Sequence, residues 1–211
     1  MIGNTSVEPE YWLRAKRALV RRDPVMAGII RAHPRIGLRS RGDAFQTLAR
    51  SIVGQQISVK AADSVWGRLV AVAPAMTPEA ILRVRRNRLA GAGLSQRKVE
   101  YIRDLAARFK GGTIHPHRWP GMDDESVIEE LVAVRGIGRW TAEMFLIFNL
   151  LRPDVLPVDD LGLRKAVSLH YRSGEPIGAG ELRAFGEAWA PFRSVATWYL
   201  WRSLDPVPVE Y

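Results

Sequence analysis

Gly136-Ile137-Gly138, flanked by Arg135 and Arg139, is where this sequence offers backbone chemistry most plainly. Leu131 to Leu151 reads as a helix end, a tight turn and a second helix that starts near Arg139. Glycine suits the turn, and the amides that open the second helix, with an arginine on either side, form a seat for a phosphate. The same residues also suit an ordinary buried αα-hairpin. Met144, Phe145, Leu146, Ile147, Phe148, Leu150 and Leu151 make the second helix apolar nearly all round, which predicts a path through the middle of the protein.

Asp159 and Asp160 are the second feature. They follow Arg152 to Val158, a stretch that Pro153 and Pro157 keep extended, and they open the next apolar run. One carboxylate serves a helix N-terminus as a cap or dipole partner. Two adjacent ones exceed what capping requires, although a doubly stabilised helix end remains the plainer alternative.

Composition narrows the chemistry. The 211 residues are 47% hydrophobic, enough for one core or two small lobes. Thirty-one Lys and Arg against 22 Asp and Glu give a net charge of +9, which favours a polyanionic partner, nucleic acid ahead of an anionic membrane surface. With no cysteine there are no disulfides, no thiol catalysis, no Cys-ligated zinc and no iron–sulfur cluster. Of the four histidines only His115 and His117 are close, and Pro116 between them makes a turn rather than a metal-binding helix face. No uncharged apolar run is long enough to span a membrane. Met1 to Glu10 is polar, carries Glu8 and Glu10 and does not read as a secretory signal, so an intracellular location is expected, cytoplasmic or nucleoid-associated.

The elements that must position these groups are helical throughout, with apolar spacings of three and four and almost no alternation. The fold class is all-α. Helix starts are expected at Asp43, Thr77-Pro78-Glu79, Ser95 and Asp123-Asp124. Stops are expected at Gly91, Gly93, Gly111-Gly112 and Gly136. Neither a long repeat nor a low-complexity linker divides the chain.

Four separated motifs occur in order: Ile52-Val53-Gly54-Gln55-Gln56-Ile57-Ser58, Gly93-Leu94-Ser95-Gln96-Arg97-Lys98, the 131–142 hairpin followed by Asp160, and Trp189-Ala190-Pro191-Phe192-Arg193-Ser194. Together they resemble the helix-hairpin-helix superfamily of DNA base-excision glycosylases, and within it the alkylation-repair branch of the DNA-3-methyladenine glycosylase II type. The resemblance runs from about Phe45 to Trp201. It implies two helical lobes with a DNA-binding cleft between them, one lobe from 44–155 carrying the hairpin (131–151), the other from 1–43 plus 156–211. Larger members carry an N-terminal β domain. The residues before Phe45 are too few for it, so the compact form lacking that domain is expected.

The resemblance also implies a chemistry. Asp160, the second of the pair, would be the catalytic carboxylate that stabilises positive charge on the sugar and orients water, leaving Asp159 as the cap. Where bifunctional members carry a nucleophilic lysine this sequence has Trp140, so a monofunctional enzyme without lyase activity is expected. Trp140 and Trp201 would wall a base pocket by cation–π attraction, with Met144 and Leu161 standing where the best-known member type has tyrosines. Gln56 would be the wedge that fills the space of the displaced base. Ser58, Arg135, Gly136, Ile137, Gly138, Arg139 and Thr141 would bind the DNA backbone. No cofactor is required by this scheme, although family hairpins hold a monovalent cation, Na+ or K+, on carbonyls that correspond to Val132, Val134 and Ile137. The expected partner is double-stranded DNA with alkylated bases, 3-methyladenine and 7-methylguanine among them, with the protein a monomer and no membrane involved. Two alternatives share the fold: a glycosylase for another lesion, and a helix-hairpin-helix DNA-binding protein without catalysis.

Overall fold

Side-chain caps start most of the helices. A computed structural model describes residues 8–34, 37–38, 40 and 42–204; the segment 1–7, part of the polar N-terminal stretch that does not read as a secretory signal, lies outside them. Asp23, Asp43, Ser58, Thr77, Ser95, Asp123 and Asp160 each accept an amide N–H three residues on, which satisfies one of the orphan donors of a first turn. The helices are α1 (Trp12–Arg22), α2 (Pro24–Ala32), α3 (Ala44–Gly54), α4 (Val59–Val72), α5 (Pro78–Arg83), α6 (Arg86–Gly91), α7 (Gln96–Gly111), α8 (Asp124–Val132), α9 (Arg139–Phe148), α10 (Leu161–Tyr171), α11 (Ala179–Gly186) and α12 (Arg193–Leu204). Every regular element among the described residues is helical. None of these helices is long and apolar enough to cross a membrane.

The chain forms two compact units, Met1–Ser40 with Leu146–Glu210 and Arg41–Phe145. The divisions fall at 40/41 and 145/146, against the sequence expectation of 43/44 and 155/156. The second shift has a physical reason. Past Phe145 the chain is tied to the first unit by its own polar groups: the Asn149 carbonyl accepts from Ser40 Oγ at 3.0 Å and the Leu151 carbonyl from Tyr11 Oη at 2.7 Å.

In the unit built from both ends of the sequence, α12 is the enclosed element: Ser194 to Leu200 are all buried, and α1, α2 and α10 pack against it. Nothing in the periodicity singled it out, because Arg202 and Ser194 break its apolar run. Asp23 links three parts of this unit. It caps α2 through Oδ1 and accepts Tyr171 Oη at 2.7 Å and Trp189 Nε1 at 3.0 Å on Oδ2.

In the other unit α7 packs on α3, α5 and α6. A chain of edge-on rings, Phe45, Phe109, Trp119 and Phe145, with centroids 5.3 to 6.5 Å apart, joins α3, α7, the turn at Trp119 and α9. The helix expected to be apolar all round is shorter and less enclosed than its sequence suggests. It ends at Phe148 rather than Leu151, and Trp140 in its first turn is 40% exposed.

Candidate functional site

The hairpin is held by its neighbours rather than by its own turn alone. Gly136 has φ +83°, and a Cβ there would overlap the Tyr101 ring of α7, so glycine is required for both conformation and space. The Arg135 N–H donates to Asp104 Oδ2 at 2.9 Å, and Ile137 N–H donates to the Val134 carbonyl at 3.1 Å. Asp104 is itself held by Arg108 at 3.0 Å. The hairpin is thus fastened to α7, with Gly138, Arg139 and Trp140 exposed at the mouth of α9.

The two flanking arginines are not equivalent. Arg135 presents an exposed side chain. Arg139 grips Glu125 with both terminal nitrogens, at 2.6 and 2.7 Å, and reaches the buried Glu143 with Nε at 3.1 Å. The hydrogen-bonded Glu125 carboxylate, foremost, raises the Arg139 pKa above its ordinary value. Its charge is balanced within the unit by Glu125 and Glu143, whereas the sequence showed only that an arginine stands on either side of the turn. Sequence could have suggested this: Glu143 lies one helical turn beyond Arg139.

The Gln55–Ser58 turn lies in the same unit as the hairpin. Gln56, at φ +58°, is exposed in a left-handed conformation that costs a side-chain-bearing residue about 1–2 kcal/mol. Ser58, expected at the DNA backbone, caps α4, its Oγ accepting Ala61 N–H at 3.3 Å. Gln55 Nε2 donates to the Gly136 carbonyl at 2.7 Å, so the structure brings this turn to the hairpin. Thr141 and Met144 are half-buried on α9.

Asp160, Leu161 and Trp201 come together in the other unit. Asp160 is buried, 8% exposed, and its Oδ1 accepts Leu163 N–H at 2.6 Å and Trp201 Nε1 at 2.8 Å. This corrects the expected division of labour: Asp160 is the cap of α10, whereas the exposed Asp159 pairs with Arg164 at 3.2 Å. The reason is register. Only the residue directly before N1 can reach the N3 amide with a short carboxylate, and α10 begins at Leu161.

Two residues that sequence reasoning passed over shape this corner. A Cβ on Gly162 would lie 3.1 Å from Asp160 Oδ1 and 3.3 Å from the Trp201 indole, so glycine leaves room for that hydrogen bond. Phe148 stacks on Trp201, 5.7 Å between centroids and 16° from parallel. Leu161 is 78% exposed, an apolar side chain in water directly beside a buried carboxylate.

The fourth motif acts as scaffolding for the linker that delivers Asp160. Arg193 grips Asp154 through Nε and Nη2, both at 2.8 Å, and Ser194 Oγ accepts Val155 N–H at 2.8 Å. No group of three or more His, Asp or Glu side chains stands ready to hold a metal among the described residues.

Residues 49–191 match the family model of the HhH-GPD superfamily base excision DNA repair proteins. The chain belongs to that superfamily. The all-α fold of the HhH-GPD proteins accounts for the helical architecture, and the match extends from α3 through the hairpin and Asp160 to the cis Ala190-Pro191 bond of the fourth motif. A curated relative, DNA-3-methyladenine glycosylase 1 of Schizosaccharomyces pombe, is 33% identical over 165 residues, 76% of this chain and 72% of the relative. Other curated relatives are longer, the chain spanning 45% of one and 61% of another. Among solved structures, a DNA-3-methyladenine glycosidase from Bacillus halodurans superimposes with a TM-score of 0.85 at 37% identity, covering 95% of this chain and 91% of that one. The Schizosaccharomyces pombe 3-methyladenine DNA glycosylase in complex with abasic DNA gives 0.77 at 29% identity, covering 90% and 96%.

Proposed function

We propose that this HhH-GPD protein is a monofunctional DNA glycosylase that displaces alkylated purines from the duplex and hydrolyses their N-glycosidic bond in base excision repair. The observation that carries this is the buried Asp160 carboxylate, held on one oxygen by Leu163 N–H and Trp201 Nε1 beside the exposed Leu161. Support comes from relatives and solved structures named as 3-methyladenine glycosylases over most of the chain.

The chemistry needs one fixed negative charge. As the bond from the sugar to the base breaks, its electron pair leaves with the base and positive charge develops at the anomeric carbon, which Asp160 stabilises. Water then adds its oxygen to that carbon and gives up a proton. A cationic base such as 3-methyladenine or 7-methylguanine departs neutral, so no general acid is called for. Trp140, Trp201, Met144 and Leu161 are assigned to holding the base, where cation–π attraction to an indole would favour a charged ring over a normal base. With an indole at Trp140 there is no amine to form a Schiff base, hence no strand cleavage.

The exposed Gln56 is assigned as the wedge, and the backbone of Arg135 to Thr141 with the Ser58 turn as the DNA-backbone seat. A monovalent cation on the carbonyls of Val132, Val134 and Ile137 fits the donor chemistry: Val134 spends one lone pair on Ile137 N–H and keeps a second. Such an ion would supply positive charge beside the hairpin carbonyls, favouring an anionic phosphate there. The protein acts on double-stranded DNA as a monomer, since one displaced base requires no symmetry.

The test is chromatography of free bases released from methylated and from oxidised DNA, with borohydride added in parallel. Release of 3-methyladenine without a trapped covalent adduct is expected. Release from oxidised DNA alone would transfer the protein to another lesion, and a trapped adduct would refute the monofunctional mechanism.

A further inference from the structure

Lys98 closes the second sequence motif, Gly93-Leu94-Ser95-Gln96-Arg97-Lys98. It occupies the first turn of α7, where Ser95 Oγ accepts its N–H at 3.3 Å, and a cation there opposes the dipole of its own helix. The cost is offset elsewhere. Lys98 Nζ donates to the carbonyls of Val53, at 2.8 Å, and Gln55, at 2.7 Å, so a cation from α7 closes the C-terminal end of α3. Those carbonyls immediately precede Gln56, the exposed residue held at φ +58°. The same turn is tied on its other side by Gln55 Nε2 to the Gly136 carbonyl at 2.7 Å. Gly136 in turn is the hairpin residue seated against Tyr101 of α7. A loop from Lys98 to Gln55, to Gly136, to Tyr101 and back to α7 therefore closes on itself within one unit.

We infer that Lys98 is a positioning residue which, with Gln55, locks the Gln56 turn to the hairpin so that gripping the DNA backbone and displacing the base occur as one rigid step. This rests on the proposed role of Gln56 as the wedge. Without the lock the turn has little reason to hold an unfavourable backbone conformation, since the two carbonyls would lose their donor and the left-handed residue its support. Burial lowers the Lys98 pKa from its ordinary value, consistent with an ammonium drawn in from solvent to serve main-chain acceptors.

The lock matters only where a base must be driven out of a stack. Single-turnover release of 7-methylguanine is therefore compared on two duplexes, one with the lesion opposite cytosine and one with it opposite an abasic gap, where there is less to displace. Lys98→Met is expected to slow release from the paired duplex about tenfold, as befits the loss of charge-assisted bonds, and to slow the gapped duplex much less. Lys98→Arg, which can still donate to two carbonyls, should recover most of the paired rate. Gln55→Met, which removes only the amide donor on a part-buried residue, should repeat the paired-over-gapped selectivity and provides the test even where Lys98→Met melts. Equal slowing on both duplexes, or none on either, would overturn the inference while leaving the glycosylase assignment standing. A wild type that releases neither 7-methylguanine from these duplexes nor 3-methyladenine from methylated DNA would overturn that assignment and this inference with it.

Discussion

Replacing Asp160 separates its two duties, because Asn and Ala remove different parts of what the carboxylate does. Oδ1 accepts Leu163 N–H at 2.6 Å and Trp201 Nε1 at 2.8 Å, and both bonds need only a side-chain oxygen. Asn supplies one, and Asn caps helices about as well as Asp. Asp160→Asn thus keeps both of these bonds while losing the favourable meeting of a charge with the α10 N-terminus, about 0.3–1 kcal/mol, or a melting shift of at most about 4 °C for a chain of this size. Asp160→Ala loses the cap and also leaves the Trp201 donor without its acceptor, a total of about 2–4 kcal/mol. Base release behaves differently. Both variants lack the negative charge that the sugar cation requires, so both should fall by about a thousandfold or more, close to 4 kcal/mol of barrier. The assay pairs thermal melting with timed release of free 3-methyladenine, and DNA binding confirms that the surface is intact. A folded Asp160→Asn protein releasing base within tenfold of wild type would refute the role of the charge. Asn melting as low as Ala would refute the view that a neutral acceptor suffices for the fold.

Arg135→Gln should leave melting unchanged and reduce the salt dependence of DNA binding by about one unit of slope, whereas Arg139→Gln should cost about 1–3 kcal/mol of stability by stripping a cation from the buried Glu143; titrations at several salt concentrations and urea unfolding distinguish them. Gly136→Ala forces a side chain into positive φ and into the Tyr101 ring, so a loss of at least about 2 kcal/mol is expected by urea unfolding, with partial recovery when Tyr101 is shortened to Leu. Trp201→Phe keeps an aromatic face for Phe148 but no N–H for Asp160; turnover should fall about tenfold, and an unchanged rate would show that the indole serves as pocket wall alone.

The helices and their starts were legible in the sequence because capping and periodicity are local: Asp43, Thr77, Ser95 and Asp123 each do what a polar residue before an apolar run does. The hairpin glycines and the aspartate pair were legible for the same reason, as turn chemistry and charge over a few residues. Choosing between Asp159 and Asp160 as cap was not, since it depends on the one-residue register of α10. The commitment of Arg139 to Glu125, fourteen residues upstream, needed the tertiary path that brings the first turn of α8 within hydrogen-bond reach of the start of α9. Three couplings reach further: Trp201 to Asp160, Lys98 to the end of α3, and Arg193 to Asp154. Each joins a side chain to a group dozens of residues away, through residue types that are ordinary and a spacing that carries no period. The sequence by itself determined which residues could carry the chemistry, because charge, ring and turn propensity belong to single residues and short segments. Only the tertiary structure decided which oxygen each donor reaches, because a hydrogen bond requires about 3 Å of closeness and that is set by how whole helices pack.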